Sequence, residues 1–233
     1  MNQLHSKGVV ILDFGSQYTQ LIARKVRELN VYSEVLSPDT SLDKIKQCDP
    51  SAIILSGGPS SVFADEAPIF DKNIFNIDVP ILGICYGLQL LAHHHGGLVE
   101  SNGKGEYGFA EINIDDDRKL FQNVSKCSQV WMSHMDRVTK IPEGWHALAH
   151  SSNGVIAAIS NEDQSIVATQ FHPEVSHTEE GKLFLNNFLF KIANCAPNWT
   201  AENFIEEQIE IIRNQVKDDK VIVGVSGGVD STV

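Results

Sequence analysis

The sequence predicts an α/β fold: a mostly parallel central sheet flanked by helices, with antiparallel additions and the truncated start of a second α/β domain. Two observations carry this expectation. Short apolar runs over 9–13, 31–36, 51–55 and 79–84 alternate with longer stretches, some of helical period, the pattern of a parallel sheet covered on both faces. From Glu106 to Gln170 the pattern changes to short alternating segments such as FAEINI, VIAAIS and IVATQF. The first two read as antiparallel additions, and the third is able to return to the main sheet.

Taken in order, Val9–Asp13 is the first strand, and FGSQYTQ turns it into an amphipathic helix over 18–29. The second strand is 31–36. SAIIL, 51–55, is a third, buried strand ending in SGGPSS. The fourth, 79–84, ends at Cys85, and helical character over 88–95 stops at Gly96-Gly97. A helix over 182–193 closes the first domain, expected over 1–196. CAPNWT then breaks the chain, with Thr200 a suitable N-cap for a helix over 201–217. VIVGV, 221–225, reads as another buried parallel strand and runs into SGGVDS. Residues 197–233 are therefore expected to be a linker helix, a strand and a phosphate-type loop of an incomplete second domain.

Composition excludes several classes of function. The chain has 233 residues, 42% of them hydrophobic and 21% charged, which suits a folded α/β domain. Eighteen basic against 30 acidic residues give a formal net charge of −12, so no nucleic-acid partner is expected. No apolar run reaches the length of a membrane span, and the N-terminus has no secretory pattern, so a cytoplasmic location is expected. The four cysteines, at 48, 85, 127 and 195, are scattered without a CxxC pair and do not form a disulfide framework.

The chemistry begins at VPILGICYG, 79–87. A strand that stops on a nucleophile and turns sharply into a helix presents that side chain at the carboxyl edge of the sheet. The turn is so tight that little beyond glycine fits beside it, and Gly83-Ile84-Cys85-Tyr86-Gly87 is the thiol version of that elbow. The N-terminal end of the following helix favours negative charge on the nucleophile, and the Tyr86 N–H can donate to a developing oxyanion. A buried cysteine in a glycine-rich turn is the competing reading. A base partner is available in FHPE, at the end of IVATQF. Pro173 restricts His172 to extended backbone, where residues two apart share a side, so Glu174 can orient the His172 ring. A surface His-Pro-Glu turn is the competing reading here. SGGP, 56–59, ends the third strand at the same sheet edge, and a Gly58 N–H beside that of Tyr86 would complete a two-donor oxyanion hole. Together these signals specify a cysteine acyl-transfer enzyme with Cys85, His172 and Glu174 as its triad.

SGGP, GICYG and FHPE, in this order, resemble the class I glutamine amidotransferase domain, a flavodoxin-like fold, over about Val9 to Asn194. LDFGSQYTQLIARKVREL, VWMSHMD, FHPEVSHT and the late SGGVDS further resemble the GMP synthase branch of that family. The resemblance implies that Cys85 attacks the side-chain amide of glutamine. His172 then protonates the departing ammonia and activates water against the thioester. It also implies glutamine contacts at Gly57, Gln89, Ser133, His134 and Met135. Many relatives have glycine where this chain has Met135, which leaves the backbone conformation there open. Ser226, Gly227, Gly228, Val229, Asp230 and Ser231 resemble the pyrophosphate-binding loop of the ATP pyrophosphatase family, a nest of backbone N–H groups. In a complete enzyme of this branch, ammonia would pass to ATP-activated xanthosine monophosphate (XMP) with magnesium required, in a homodimer, and the glutaminase step itself would need no cofactor.

Other motifs carry less. Consecutive histidines on a helix point about 100° apart, so His93-His94-His95 is read as a solvated helix end, not a metal site. Asp115-Asp116-Asp117 lacks the calcium-loop pattern and reads as a polar turn. Glu202, Glu206, Glu207 and Glu210 read as a solvated helix face, and Cys48, Cys127 and Cys195 as structural or incidental. Two alternatives stand beside the glutaminase reading: a different cysteine hydrolase on a similar sheet, which would leave SGGP, VWMSH and SGGVDS unexplained, and a non-catalytic docking module.

Overall fold

In the computed structural model, residues 7–101, 105–224 and 226–228 are described. Strands β1 (Val9–Leu12), β2 (Ser33–Leu36), β3 (Ala52–Leu55) and β4 (Ile81–Ile84) form a parallel array. Helices α1 (Thr19–Glu28), α2 (Leu42–Gln47) and α3 (Tyr86–His94) lie in the connections. A two-stranded ribbon joins β5 (Leu98–Glu100) to β8 (Arg137–Lys140). The remaining strands are β6 (Glu106–Ile114), β7 (Cys127–His134), β9 (His146–Ser151), β10 (Ile156–Ser160) and β11 (Ile166–Thr169). Helix α4 (Gly181–Asn187) runs on through a π-turn at Phe188–Ile192, and α5 (Ala201–Val216) follows.

The large sheet has the order β2-β1-β3-β4-β11-β10-β9-β6-β7. Its first five strands are parallel, and β11 returns to pair with β4 while pairing antiparallel with β10. This is the expected mixed sheet. Alternation along the parallel strands divides the core. Val9, Ile11 and Ile54 pack with Ile22 and Val26 of α1 and Phe184 and Phe188 near α4. Val10, Leu12, Ile53 and Leu55 face the other way, against Ile45 of α2 and Leu88 and Leu91 of α3. Along β7 the inward residues Val130 and Met132 are buried while Trp131 is half-buried, the period-two pattern of a one-sided strand.

At the elbow, glycine is a steric requirement. A Cβ on Gly83 would lie 2.7 Å from the Gly87 carbonyl carbon, and one on Gly87 would lie 2.5 Å from the Leu55 carbonyl oxygen. Helix α3 can approach β3 and β4 only because both side chains are missing. Gly87→Ala is expected to cost about 3 kcal/mol through overpacking. For a chain of this size that lowers the melting temperature by roughly 6–12 °C, measurable by circular dichroism.

Two expectations need correction. The segment VIVGV is not a buried parallel strand: 221–224 has no ladder partner, and Ile222 is 98% exposed. Its β-branched composition states a preference for a sheet, but a strand exists only with a neighbour, and the described residues offer none. The histidine run is also less solvated than expected. His93 and His94 are exposed, but His95 is half-buried, with its ring 5.0 Å from that of Trp145. Other features follow the sequence. Thr200 Oγ1 accepts a hydrogen bond from the Asn203 N–H, capping α5. Asp116 pairs with Arg118 in a polar turn. Glu202, Glu206 and Glu210 are exposed, and the side chain of Glu207 lies outside what is described. Cys195 is buried, and that burial pushes its thiol up to about 11. No helix among the described residues is long and apolar enough to cross a membrane.

Candidate active site

The loops that follow β1, β3 and β4 meet beyond the carboxyl ends of the strands, around a cavity of about 490 Å³. Parallel sheets place ligands at this edge. Cys85 follows β4 directly, with φ 53° and ψ −101°, a conformation that non-glycine residues rarely adopt. Its amide donates to the Thr169 carbonyl at 2.7 Å, and its own carbonyl accepts from Leu88 and Gln89 as α3 begins. The strain is thus held from both sides. Cys85 is 5% exposed, so the thiol opens onto the cavity and not onto the outer surface.

His172 and Glu174 follow β11, the parallel neighbour of β4. His172 Nδ1 lies 2.8 Å from Glu174 Oε1, and both residues are buried. That leaves Nε2 as the nitrogen available to the Cys85 sulfur, with which the ring interacts. Burial opposes a charge on His172, but the Glu174 carboxylate and the Cys85 sulfur outweigh it and raise the imidazole to about 10. The Tyr18 ring packs edge-on against the imidazole at 5.2 Å. The main chain of this segment is fixed as well. The His172 N–H donates to the Trp131 carbonyl, Thr178 Oγ1 donates to the His172 carbonyl, and the Trp131 and Glu179 amides bond to Thr178 Oγ1 and the Gln129 carbonyl. The sheet therefore curls until β7 returns to the end of β11.

Gly58 lines the cavity, whereas Gly57, expected as a glutamine contact, lies behind that lining. A Cβ on Gly57 would lie 3.2 Å from His172 Cε1 and 3.6 Å from Cys85 Cβ, so only a glycine leaves the imidazole and the thiol this close. A Cβ on Gly58 would strike the Phe14 carbonyl oxygen at 2.5 Å. Ser56 ties the same loop down, accepting from the Phe14 N–H and donating to the Gly57 carbonyl. Tyr86 opens α3, and its N–H is a first-turn donor without an intrahelical acceptor.

Four of the five expected glutamine contacts reach the cavity. Gln89, Ser133, His134 and Met135 line it. Gln89 Nε2 donates to the Asp136 carbonyl at 2.8 Å, and the Ser133 carbonyl lies 3.6 Å from Cys85 Sγ. Burial pushes the His134 imidazole down; its Nδ1 bonds to the Asp136 carbonyl and its Nε2 lies 3.4 Å from Glu106. Met135 is 50% exposed and lies outside the left-handed region, so an ordinary side chain is accommodated there. In the late loop, Gly227 has φ +76° and the Gly228 N–H turns back to Ser226 Oγ; Val229, Asp230 and Ser231 lie outside the described residues. No described residue of that loop lines the cavity. Among the described residues, no group of three or more His, Cys, Asp and Glu side chains could hold a metal ion.

Sequence reasoning missed Gln170. Its side chain is fully buried, Nε2 lies 3.6 Å from Cys85 Sγ, and Oε1 has no partner among the described residues. A donor amide aimed at the sulfur favours the thiolate. Gln170→Met, similar in length but without the donor, is expected to slow iodoacetamide alkylation of Cys85 about 5-fold, the size of one net hydrogen bond. The melting temperature should hold or rise, because a buried orphan acceptor is removed at the same time. The signal was in QFHPE all along, but only the pairing of β11 with β4 brings position 170 beside position 85.

Comparison with known proteins identifies the family. The glutamine amidotransferase class-I family matches residues 10–192. A glutamine-hydrolysing GMP synthase of Brachyspira hyodysenteriae is 53% identical over 225 residues, which cover 97% of this chain and 44% of that relative. The chain thus spans less than half the length of the curated relatives it matches. A Thermoplasma acidophilum structure, provisionally described as one subunit of GMP synthase, superposes with TM-score 0.72 at 28% identity over 88% of this chain and 98% of its own. A Thermotoga maritima glutamine amidotransferase gives TM-score 0.59 at 20% identity, covering 92% of this chain and 100% of its own, a likeness of fold.

Proposed function

Because the chain belongs to the class-I glutamine amidotransferase family, we propose that it hydrolyses glutamine to glutamate and ammonia through Cys85, His172 and Glu174. The observation that carries this reading is the strained thiol facing the same cavity as an imidazole whose far nitrogen is 2.8 Å from a buried carboxylate. The Cys85 thiolate attacks the side-chain amide carbon, and the carbonyl π electrons move to oxygen. The Gly58 and Tyr86 N–H groups receive that oxyanion. As the C–N bond breaks, protonated His172 delivers its proton to the nitrogen and ammonia leaves a thioester on Cys85. Neutral His172 then takes a proton from water, whose oxygen attacks the thioester carbon and releases glutamate and the thiolate. Glu174 holds the ring with Nε2 toward the reacting atoms. Gln89, Ser133, His134 and Met135 form the wall on which the amino-acid end of glutamine would rest.

In a longer protein of the GMP synthase branch, the ammonia would aminate ATP-activated XMP, with magnesium on the nucleotide and two copies forming a dimer. The curl begun at Ser226–Gly228 suits a phosphate chain. The 233-residue chain alone tests the first half. Incubation with glutamine should release ammonia and glutamate in equal amounts, and acid quenching should trap a glutamyl adduct on the peptide carrying Cys85. Activity on simple esters with none on glutamine, or no adduct on that peptide, would overturn the proposal.

A further inference from the structure

The histidine run left unexplained by the sequence borders a second cavity, behind the elbow. Tyr86, Leu90, His93 and His94 recur on one face of α3 and line a space of about 290 Å³ with Val62 and Phe70. The walls are apolar: the Phe14 ring bridges Tyr86 and Phe70 at 5.4 and 5.9 Å, and Phe70 packs edge-on against Phe75. Lys72, His93 and His94 stand at the exposed rim.

One polar group lies within this apolar lining. Tyr86 is 1% exposed, and its hydroxyl has no hydrogen-bond partner among the described residues. Tyr86 lines the cavity, so its hydroxyl is open to a partner from solution where phenylalanine would offer none. A ligand in the cavity could both donate to it and accept from it. The rim has its own preference. Burial, followed by the charges of Lys72 and His93, pushes the His94 imidazole down, a sign of positive potential that an anion would relieve.

We propose that this cavity binds a compact apolar carboxylate, with an aromatic or branched body between Phe70 and Leu90, a polar contact to the Tyr86 hydroxyl and the carboxylate toward Lys72. The volume is near the lower limit of small-molecule sites, which restricts the body to about one ring. The site is separate from the cavity that holds Cys85, and the glutaminase reading does not depend on it.

Ligand-detected NMR on the 233-residue chain tests it with three probes of one shape: phenylacetate, benzyl alcohol and benzylamine. Phenylacetate should bind with Kd on the order of 1 mM, as expected for about ten non-hydrogen atoms, and at least about 5-fold more tightly than benzylamine. Lys72→Glu should weaken phenylacetate about 5-fold, and Tyr86→Phe should weaken 4-hydroxyphenylacetate, whose phenol can meet the Tyr86 hydroxyl, about 3-fold. Leu90→Trp should abolish binding by filling the space. Val62→Trp serves the same purpose from the loop side if thermal melts show that the first variant has unfolded. No saturation transfer to phenylacetate, equal affinity for acid and amine, or full binding in a folded cavity-filled variant would overturn the assignment.

Discussion

Replacing Cys85 with alanine is expected to lower ammonia release from glutamine by at least about 10⁴-fold, to the level left by binding and the oxyanion donors alone. The size follows from the proposed chemistry. Without sulfur there is no covalent intermediate, and water would have to attack an amide directly while His172 sits poised for a different nucleophile. The fold should survive. The side chain is small, and the unusual backbone at this position is set by the Gly83 and Gly87 contacts and by the Thr169 carbonyl, not by sulfur. A coupled ammonia assay together with a thermal melt separates the two effects. Ammonia release at the wild-type rate from a folded Cys85→Ala protein would remove Cys85 from the reaction.

The second large effect is expected at Glu174. Glu174→Gln keeps the shape but replaces a carboxylate by an amide, which can present its N–H to Nδ1 and so select the wrong tautomer. A loss of about 10²–10⁴ in kcat follows, with KM little changed because Glu174 does not line the glutamine cavity. The variant also has a signature in stability against pH. His172 is raised to about 10 in the folded chain, above the ordinary histidine value of about 6.5 in the unfolded one. The folded state therefore binds the extra proton between these values. The pair's contribution is complete below about pH 6.5 and is lost as pH rises through about 10. The difference in melting temperature between wild type and Glu174→Gln should accordingly be largest near pH 6 and shrink toward pH 10. A difference that grows with pH would mean that His172 is not held protonated by Glu174.

These two residues were legible in the sequence because their signals are local. A strand end, a glycine on each side and a proline-fixed i, i+2 pair can be read within a few positions. Other features depend on neighbours that no short window contains. Gln170 needs the pairing of β11 with β4, and the Tyr18 ring reaches His172 only because the loop after β1 folds over the same edge. Helix α2 escaped notice because six residues are too short to establish a period. The 221–224 segment went wrong for the opposite reason: its composition is persuasive, but pairing is decided elsewhere. The antiparallel half was legible as strands, yet its order β10-β9-β6-β7, and the curl that returns β7 to His172, are properties of the whole sheet.

That curl has a consequence for solubility. β7 is the outermost strand on its side, and an outermost strand offers unpaired amides and carbonyls to other copies of the chain. Here part of that row is already occupied, by His172, Thr178 and Glu179. The segment that carries His172 and Glu174 also shields the sheet from growing by strand addition. Substitutions that loosen residues 172–179 should therefore fail twice, losing turnover and promoting aggregation, and selection on either property would preserve the same few residues.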